Sequence, residues 1–112
     1  MNEIPLEISC RELQQKLADG APLLLVDCRE PEEHALAAIE GAVLLPISQW
    51  EQRQQELAGR VDQPIVVYCH LGMRSQRVAA WLRERGFTAV QSLAGGIDAW
   101  AVEIEPGMTR YY

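Results

Sequence analysis

The stretch Val66-Val67-Tyr68-Cys69-His70-Leu71-Gly72-Met73-Arg74-Ser75-Gln76-Arg77 decides the fold. It is entered through the apolar run Ile65-Val66-Val67-Tyr68, which is of strand length and lacks polar alternation. Such a run predicts a strand covered on both faces, as in a parallel sheet. Beyond the stretch a helix is expected from about Ser75 to Arg85, with Val78, Ala79 and Leu82 on one face and Gly86 as its stop. In an open α/β sheet, ligands bind beyond the carboxyl ends of the strands. Loop N–H groups and a helix N-terminus make an anion cradle there. The same field lowers a thiol pKa, and the thiolate is the nucleophile. Cys69 is therefore the candidate nucleophile. A buried, inert cysteine is the competing reading; position at a strand end before Gly72, Arg74 and a helix start speaks against it.

Working outward, Ser9-Cys10-Arg11-Glu12 fits a capping box, followed by Cys10, Leu13 and Leu17 at helical spacing and a stop at Gly20. Leu23-Leu24-Leu25-Val26-Asp27 predicts a second buried strand, and Glu30-Pro31-Glu32-Glu33 the acidic first turn of a short helix. A short strand is expected over Ala42-Val43-Leu44-Leu45, then a polar helix capped by Ser48 and running to Leu57. Asp62-Gln63-Pro64 reads as a turn, Phe87-Thr88-Ala89-Val90 as a strand or its approach, and Ile97-Asp98-Ala99-Trp100 as helical after Gly95-Gly96. Alternating strands and helices give the class: α/β, with a small, mainly parallel central sheet flanked by helices.

The chain of 112 residues suits a single domain over 1–112, and its 48% hydrophobic content suits a packed core. A net charge of −6 argues against nucleic acid and anionic membrane as partners. Between Cys69 and Gly86 there are four arginines and one acid, read chiefly as a solvated helix face. No apolar run approaches membrane-spanning length, and Met1-Asn2-Glu3-Ile4-Pro5 lacks signal-peptide character. The three cysteines, Cys10, Cys28 and Cys69, lack C-x-x-C spacing, so neither a disulfide framework nor a metal site is expected. Reduced thiols point to the cytoplasm. Cys10 reads as a small buried hydrophobe, and so does Cys28. For Cys28 the alternative is that it lies near Cys69 and forms a disulfide with it.

Three motifs in order then resemble the rhodanese-homology domain over nearly the whole chain. They are Asp27-Cys28-Arg29 through Glu33 with Ile39-Glu40-Gly41-Ala42 and Pro46, then Cys69-His70-Leu71-Gly72-Met73-Arg74-Ser75, and Leu93-Ala94-Gly95-Gly96-Ile97-Asp98-Ala99-Trp100. The family usually has Gly-His-Ile where this chain has Ala37-Ala38-Ile39, a difference expected to bear on packing rather than activity. The resemblance implies sulfane-sulfur transfer without a cofactor. Cys69 would take sulfur from a donor such as thiosulfate, and the persulfide would be held by the backbone of His70, Leu71, Gly72, Met73, Arg74 and Ser75. A thiol, cyanide or protein would accept it.

Arg74 is expected to hold the anionic donor or the leaving sulfite, ahead of a role as a salt bridge fixing the loop. Asp27 and Arg29, with Glu33, are expected to be a structural group beside the site. His70 is read as a donor of its N–H and not as a general base. Trp81 and Trp100 are read as packing residues and Met73 as exposed, while Tyr111 and Tyr112 are expected to lack order unless docked. Three alternatives compete. A carrier fed by a protein persulfide shares the chemistry, and a non-catalytic module would better suit a chain without Cys69. A phosphatase loop would need five residues between Cys and Arg, and this chain has four.

Overall fold

The computed structural model describes residues 4–112. Five parallel strands form one sheet in the order β1-β5-β4-β2-β3: Glu7–Ile8, Leu24–Asp27, Val43–Leu44, Ile65–Tyr68 and Val90–Leu93 in chain order. The two long apolar runs become the central neighbours β2 and β4, as their lack of alternation requires, and every β4 residue is buried. Their register pairs Leu24 with Ile65 and Asp27 with Tyr68, so both strands end level at the same edge.

The pleat sorts side chains between two cores. Val26, Ile65 and Val67 face a cluster with Val78, Ala79 and Leu82 of helix α4 (Met73–Glu84) and with Trp50 and Leu57. Leu25, Val66, Tyr68 and Leu93 face the opposite cluster, with Leu13 of α1 (Cys10–Ala18) and Ile97 and Trp100 of α5 (Gly96–Glu103). Leu82 is 1% exposed, so Leu82→Ala would cost ~2–5 kcal/mol. The remaining helices are α2 (Pro31–Leu36), at the carboxyl edge, and α3 (Trp50–Arg53).

Several expectations need adjustment. Strand β1, two residues long, carries too little pattern to be read from sequence. Helix α4 begins at Met73, two residues before Ser75, because Gly72 rather than Ser75 supplies the cap position. The polar helix through Leu57 breaks into 3₁₀ turns at Ile47–Gln49 and Gln54–Leu57 around α3. Ser48 does not cap it; its hydroxyl donates to Glu30 Oε1 at 2.8 Å. Ser9 does cap α1, accepting from Glu12 N–H at 3.1 Å, but the Glu12 carboxylate returns to the Ser9 hydroxyl instead of its N–H. The reading of Met1-Asn2-Glu3 lies outside the described residues. Among the described residues no helix is long and apolar enough to cross a membrane.

Candidate active site

Cys69 is the first residue after β4, and its side chain is 1% exposed. Strand alternation turns it to the face carrying Val67 and Val78. The loop then bends back so that the Gly72 N–H donates to Cys69 Sγ at 3.1 Å and the Ser75 N–H at 3.4 Å. The Ser75 hydroxyl lies 3.4 Å from the same sulfur. The sulfur thus sits over the N-terminus of a 12-residue helix, where N–H groups have no partner within the helix.

These contacts favour the thiolate. The neighbouring Cys28 thiol is the strongest influence lowering the pKa, and the Ser75 hydroxyl and the Ser75 and Gly72 amides add to it. Burial opposes them and loses, so the Cys69 pKa falls far below the ordinary thiol range. Cys28 moves the opposite way: the neighbouring Cys69 and burial hold it as the neutral thiol.

Two glycines make this geometry possible. Gly72 has φ 104°, in the left-handed region, so the chain can reverse above the sulfur. Gly96 lets α5 press against the loop from below: a Cβ there would run into the carbonyls of Cys69 and His70. The approach allows Ile97 N–H to reach Cys69 O at 2.9 Å and Asp98 N–H to reach His70 O at 3.1 Å. One helix start therefore supplies donors to the sulfur, and a second pins the loop carbonyls. Ser75 is fixed in turn by Ser92 of β5, with hydroxyls 2.7 Å apart.

A charged layer borders the loop. Arg74 makes a two-pronged pair with Glu33, with both contacts at 2.8 Å. The contact on Arg74 is thus the salt bridge that fixes the loop to α2, and both terminal nitrogens are engaged. Glu33 is held down to about 2, chiefly by Arg74. Asp27 and Arg29 pair as expected, fully buried at 2.7 Å. Glu33 does not join them directly: it reaches Arg29 only through the Tyr111 hydroxyl, which accepts from Arg29 Nη1 at 3.0 Å and donates to Glu33 at 2.8 Å.

Tyr111 is docked and not loose. Its ring stacks on His70 with centroids 4.0 Å apart, and the Arg110–Asp98 pair anchors the adjoining residue. His70 faces this ring, and its Nε2 is buried with no hydrogen-bond partner among the described residues. Of the six loop residues singled out from sequence, Gly72 and Ser75 reach the sulfur. Leu71 and Met73 present exposed side chains, 57% and 72%. Among the four arginines, Arg83 serves backbone carbonyls, Arg85 lies over the Trp81 ring and Arg77 lines a pocket with Trp50 and Trp81, while Arg74 pairs with Glu33 beside the loop.

Sequence reasoning missed Ser92, Tyr111 and His34, whose Nδ1 lies 2.8 Å from Asp27 Oδ2. Ser92 left little signal, because Gln91 beside it makes half of the four-residue strand β5 polar. Tyr111 left none, because its partners lie 78 and 82 positions away. The segment Ala37–Ile39 is held without the family's usual histidine: Arg29 Nη2 donates to Ala37 O at 2.5 Å, and Ile39 N–H donates to the Tyr68 hydroxyl at 3.1 Å.

Known proteins resemble this chain in sequence and fold. The chain is 41% identical to a sulfurtransferase of Allochromatium vinosum over 95 residues, covering 85% of this chain and 87% of that protein. It is 33% identical to the adenylyltransferase and sulfurtransferase MOCS3-1 of Zea mays, with 93% of this chain aligned but only 23% of that much longer protein spanned. The solved human single-domain sulfurtransferase TSTD1 superposes with a TM-score of 0.79 at 27% identity, covering 89% of this chain and 98% of that one. A family model, the rhodanese-like domain, matches residues 9–103. With fold, loop and relatives in agreement, this chain belongs to the rhodanese-like domain family.

Proposed function

We propose that the protein is a sulfurtransferase that moves sulfane sulfur through a persulfide on Cys69. The observation that carries this reading is the buried Cys69 sulfur, bonded by the Gly72 and Ser75 amides above a helix N-terminus. The thiolate attacks the sulfane sulfur of a donor such as thiosulfate, the S–S bond breaks, and sulfite leaves with the electron pair. The N–H groups of Met73 and Arg74, in the first turn of α4, have no partner within the helix and suit the outer, negatively charged sulfur. A thiol, cyanide or protein nucleophile then removes that sulfur and restores the thiolate. Dividing one transfer into two in this way gives ping-pong kinetics. Free cysteines and a thiolate nucleophile suit a reducing compartment such as the cytoplasm.

A protein persulfide is a second donor, favoured by a specific observation. Leu71 and Met73 place exposed apolar side chains, 57% and 72%, on the loop above the buried sulfur. A small dianion gains nothing from them, whereas a protein surface does. Initial rates at several donor and acceptor concentrations test the chemistry. Parallel double-reciprocal lines are expected, and lines that intersect would rule out a free sulfur-loaded enzyme. Comparing kcat/KM for thiosulfate and for a protein persulfide then ranks the donors.

A further inference from the structure

We propose that Cys28 is a resolving cysteine: when no acceptor arrives, it attacks the Cys69 persulfide, releases hydrosulfide and closes a Cys28–Cys69 disulfide. This rests on the Cys69 persulfide reading above. Cys28 follows β2 as Cys69 follows β4, and the register that pairs Asp27 with Tyr68 continues one step to pair the two cysteines. The Cys28 N–H donates to Tyr68 O at 3.0 Å, which holds the chains together at that step. Alternation puts both side chains on one face: Val26, Cys28, Val67 and Cys69 share a core cluster, while Tyr68 faces the other. Neighbouring strands stand about 4.8 Å apart, within the ~4.4–6.8 Å separation of Cα atoms that a disulfide spans. Both residues lie just past the strand ends, so side-chain rotation and a small loop adjustment suffice. Cys10 has no such access. It packs in the other cluster, against Ala94 O at 3.9 Å, and burial pushes its thiol up to about 11.

The chemistry balances without an external oxidant. The Cys28 sulfur bonds to Cys69 Sγ, and the bond from Sγ to the outer sulfur breaks. The outer sulfur leaves with the electron pair and takes the Cys28 proton as hydrosulfide. Cys28 and Cys69 are oxidised to the disulfide, and the sulfane sulfur is reduced to sulfide. Before loading, the negative Cys69 holds Cys28 as a neutral thiol. Loading moves the charge one atom outward, into the amide cradle, which eases the constraint on Cys28. The pair then stays closed until a dithiol reopens it by exchange. A loaded site with no acceptor thus discharges and shuts itself.

The test uses the full chain, anaerobic and free of reductant. It is loaded with thiosulfate at about pH 9, where even an ordinary thiol of pKa ~8.5 is ionised, and then stripped of donor. Intact mass and released sulfide are followed with time for wild type, Cys28→Ala and Cys28→Val, the valine variant guarding against a core cavity. Wild type is expected to lose the added sulfur as stoichiometric sulfide and become two hydrogens lighter, with Cys28 and Cys69 peptides cross-linked. Both variants should retain the sulfur roughly tenfold longer or more, since only general hydrolysis or intermolecular exchange remains. Equal retention in all three proteins, or a cross-link through Cys10, would overturn the proposal. Failure of the underlying reading looks different: no protein, quenched early, gains a sulfur atom.

Discussion

Replacing Gly96 by alanine separates loop geometry from everything else at the site. A Cβ at position 96 would stand 2.6 Å from Cys69 O and nearer still to His70. Restoring ordinary contact at ~3.5 Å means displacing that carbonyl or α5 by about 1 Å. The residue also has φ 62°, which costs an alanine ~1–2 kcal/mol. The move strains or breaks the two bonds that pin the loop, Ile97 N–H to Cys69 O and Asp98 N–H to His70 O. At about 1 kcal/mol each, loss of both brings the total destabilisation to ~3–4 kcal/mol. The larger effect should be on rate. A 1 Å shift of the carbonyl moves the Cys69 sulfur relative to the Gly72 and Ser75 amides, and misplacement of that size costs on the order of a hundredfold. Stopped-flow loading from thiosulfate reads the rate, and urea unfolding reads the stability. Gly107→Ala is the control, because a Cβ there meets nothing within 4 Å. A Gly96→Ala protein that is folded and loads at the wild-type rate would refute the claim that α5 sets the loop.

Four further outcomes follow from the site. Arg74→Ala and Glu33→Gln should each cost ~1–2 kcal/mol, discounted for side chains 30% and 20% exposed, and the double variant little more; a rise in KM for thiosulfate alone in Arg74→Ala would show that Arg74 binds the donor instead. Because Glu33 is held down to about 2, that contribution is complete above the unfolded carboxylate value of ~4.3 and lost as pH falls through about 2, which urea midpoints against pH can follow. Wild-type loading should stay flat below the ordinary thiol pKa of ~8.5, and Ser75→Ala, which removes one of the bonds favouring the thiolate, should move the acidic limb of the pH profile upward; an unmoved limb would mean that the hydroxyl does not tune Cys69. Hydrolysis of aryl phosphates should be negligible, since four residues between Cys69 and Arg74 make a short loop and Arg74 is engaged by Glu33; efficient hydrolysis dependent on Cys69 would overturn that reading.

The sheet and the position of Cys69 were legible in the sequence because they rest on local signals. Ile65-Val66-Val67-Tyr68 and Leu24-Leu25-Val26-Asp27 are continuous apolar runs, and a strand buried on both faces needs nothing more to be recognised. Gly72 and the helix after it placed Cys69 beneath a set of amides for the same reason. The charged layer was less legible. Arg74 could have faced a donor or a carboxylate, and the choice of Glu33 depends on where α2 lies across 41 positions of sequence. Tyr111 bridges Arg29 and Glu33 and covers His70, yet nothing near it in sequence announces that docking. Segments with weak pattern went astray similarly: Ser48 bonds Glu30 of a neighbouring segment, and the polar stretch it was expected to cap folds as 3₁₀ turns around a single helical turn.

The central claim is that Cys69 carries sulfur, and intact mass spectrometry after brief exposure to a donor tests it most directly. Wild type and Cys10→Ser, mixed with thiosulfate and separately with a protein persulfide and quenched early, should gain one sulfur atom from at least one of these donors. Peptide mapping should place it on Cys69, and Cys69→Ser should gain none. A sulfur atom mapped to Cys28 or Cys10, equal loading of Cys69→Ser, or no loading of wild type by either donor would contradict the account.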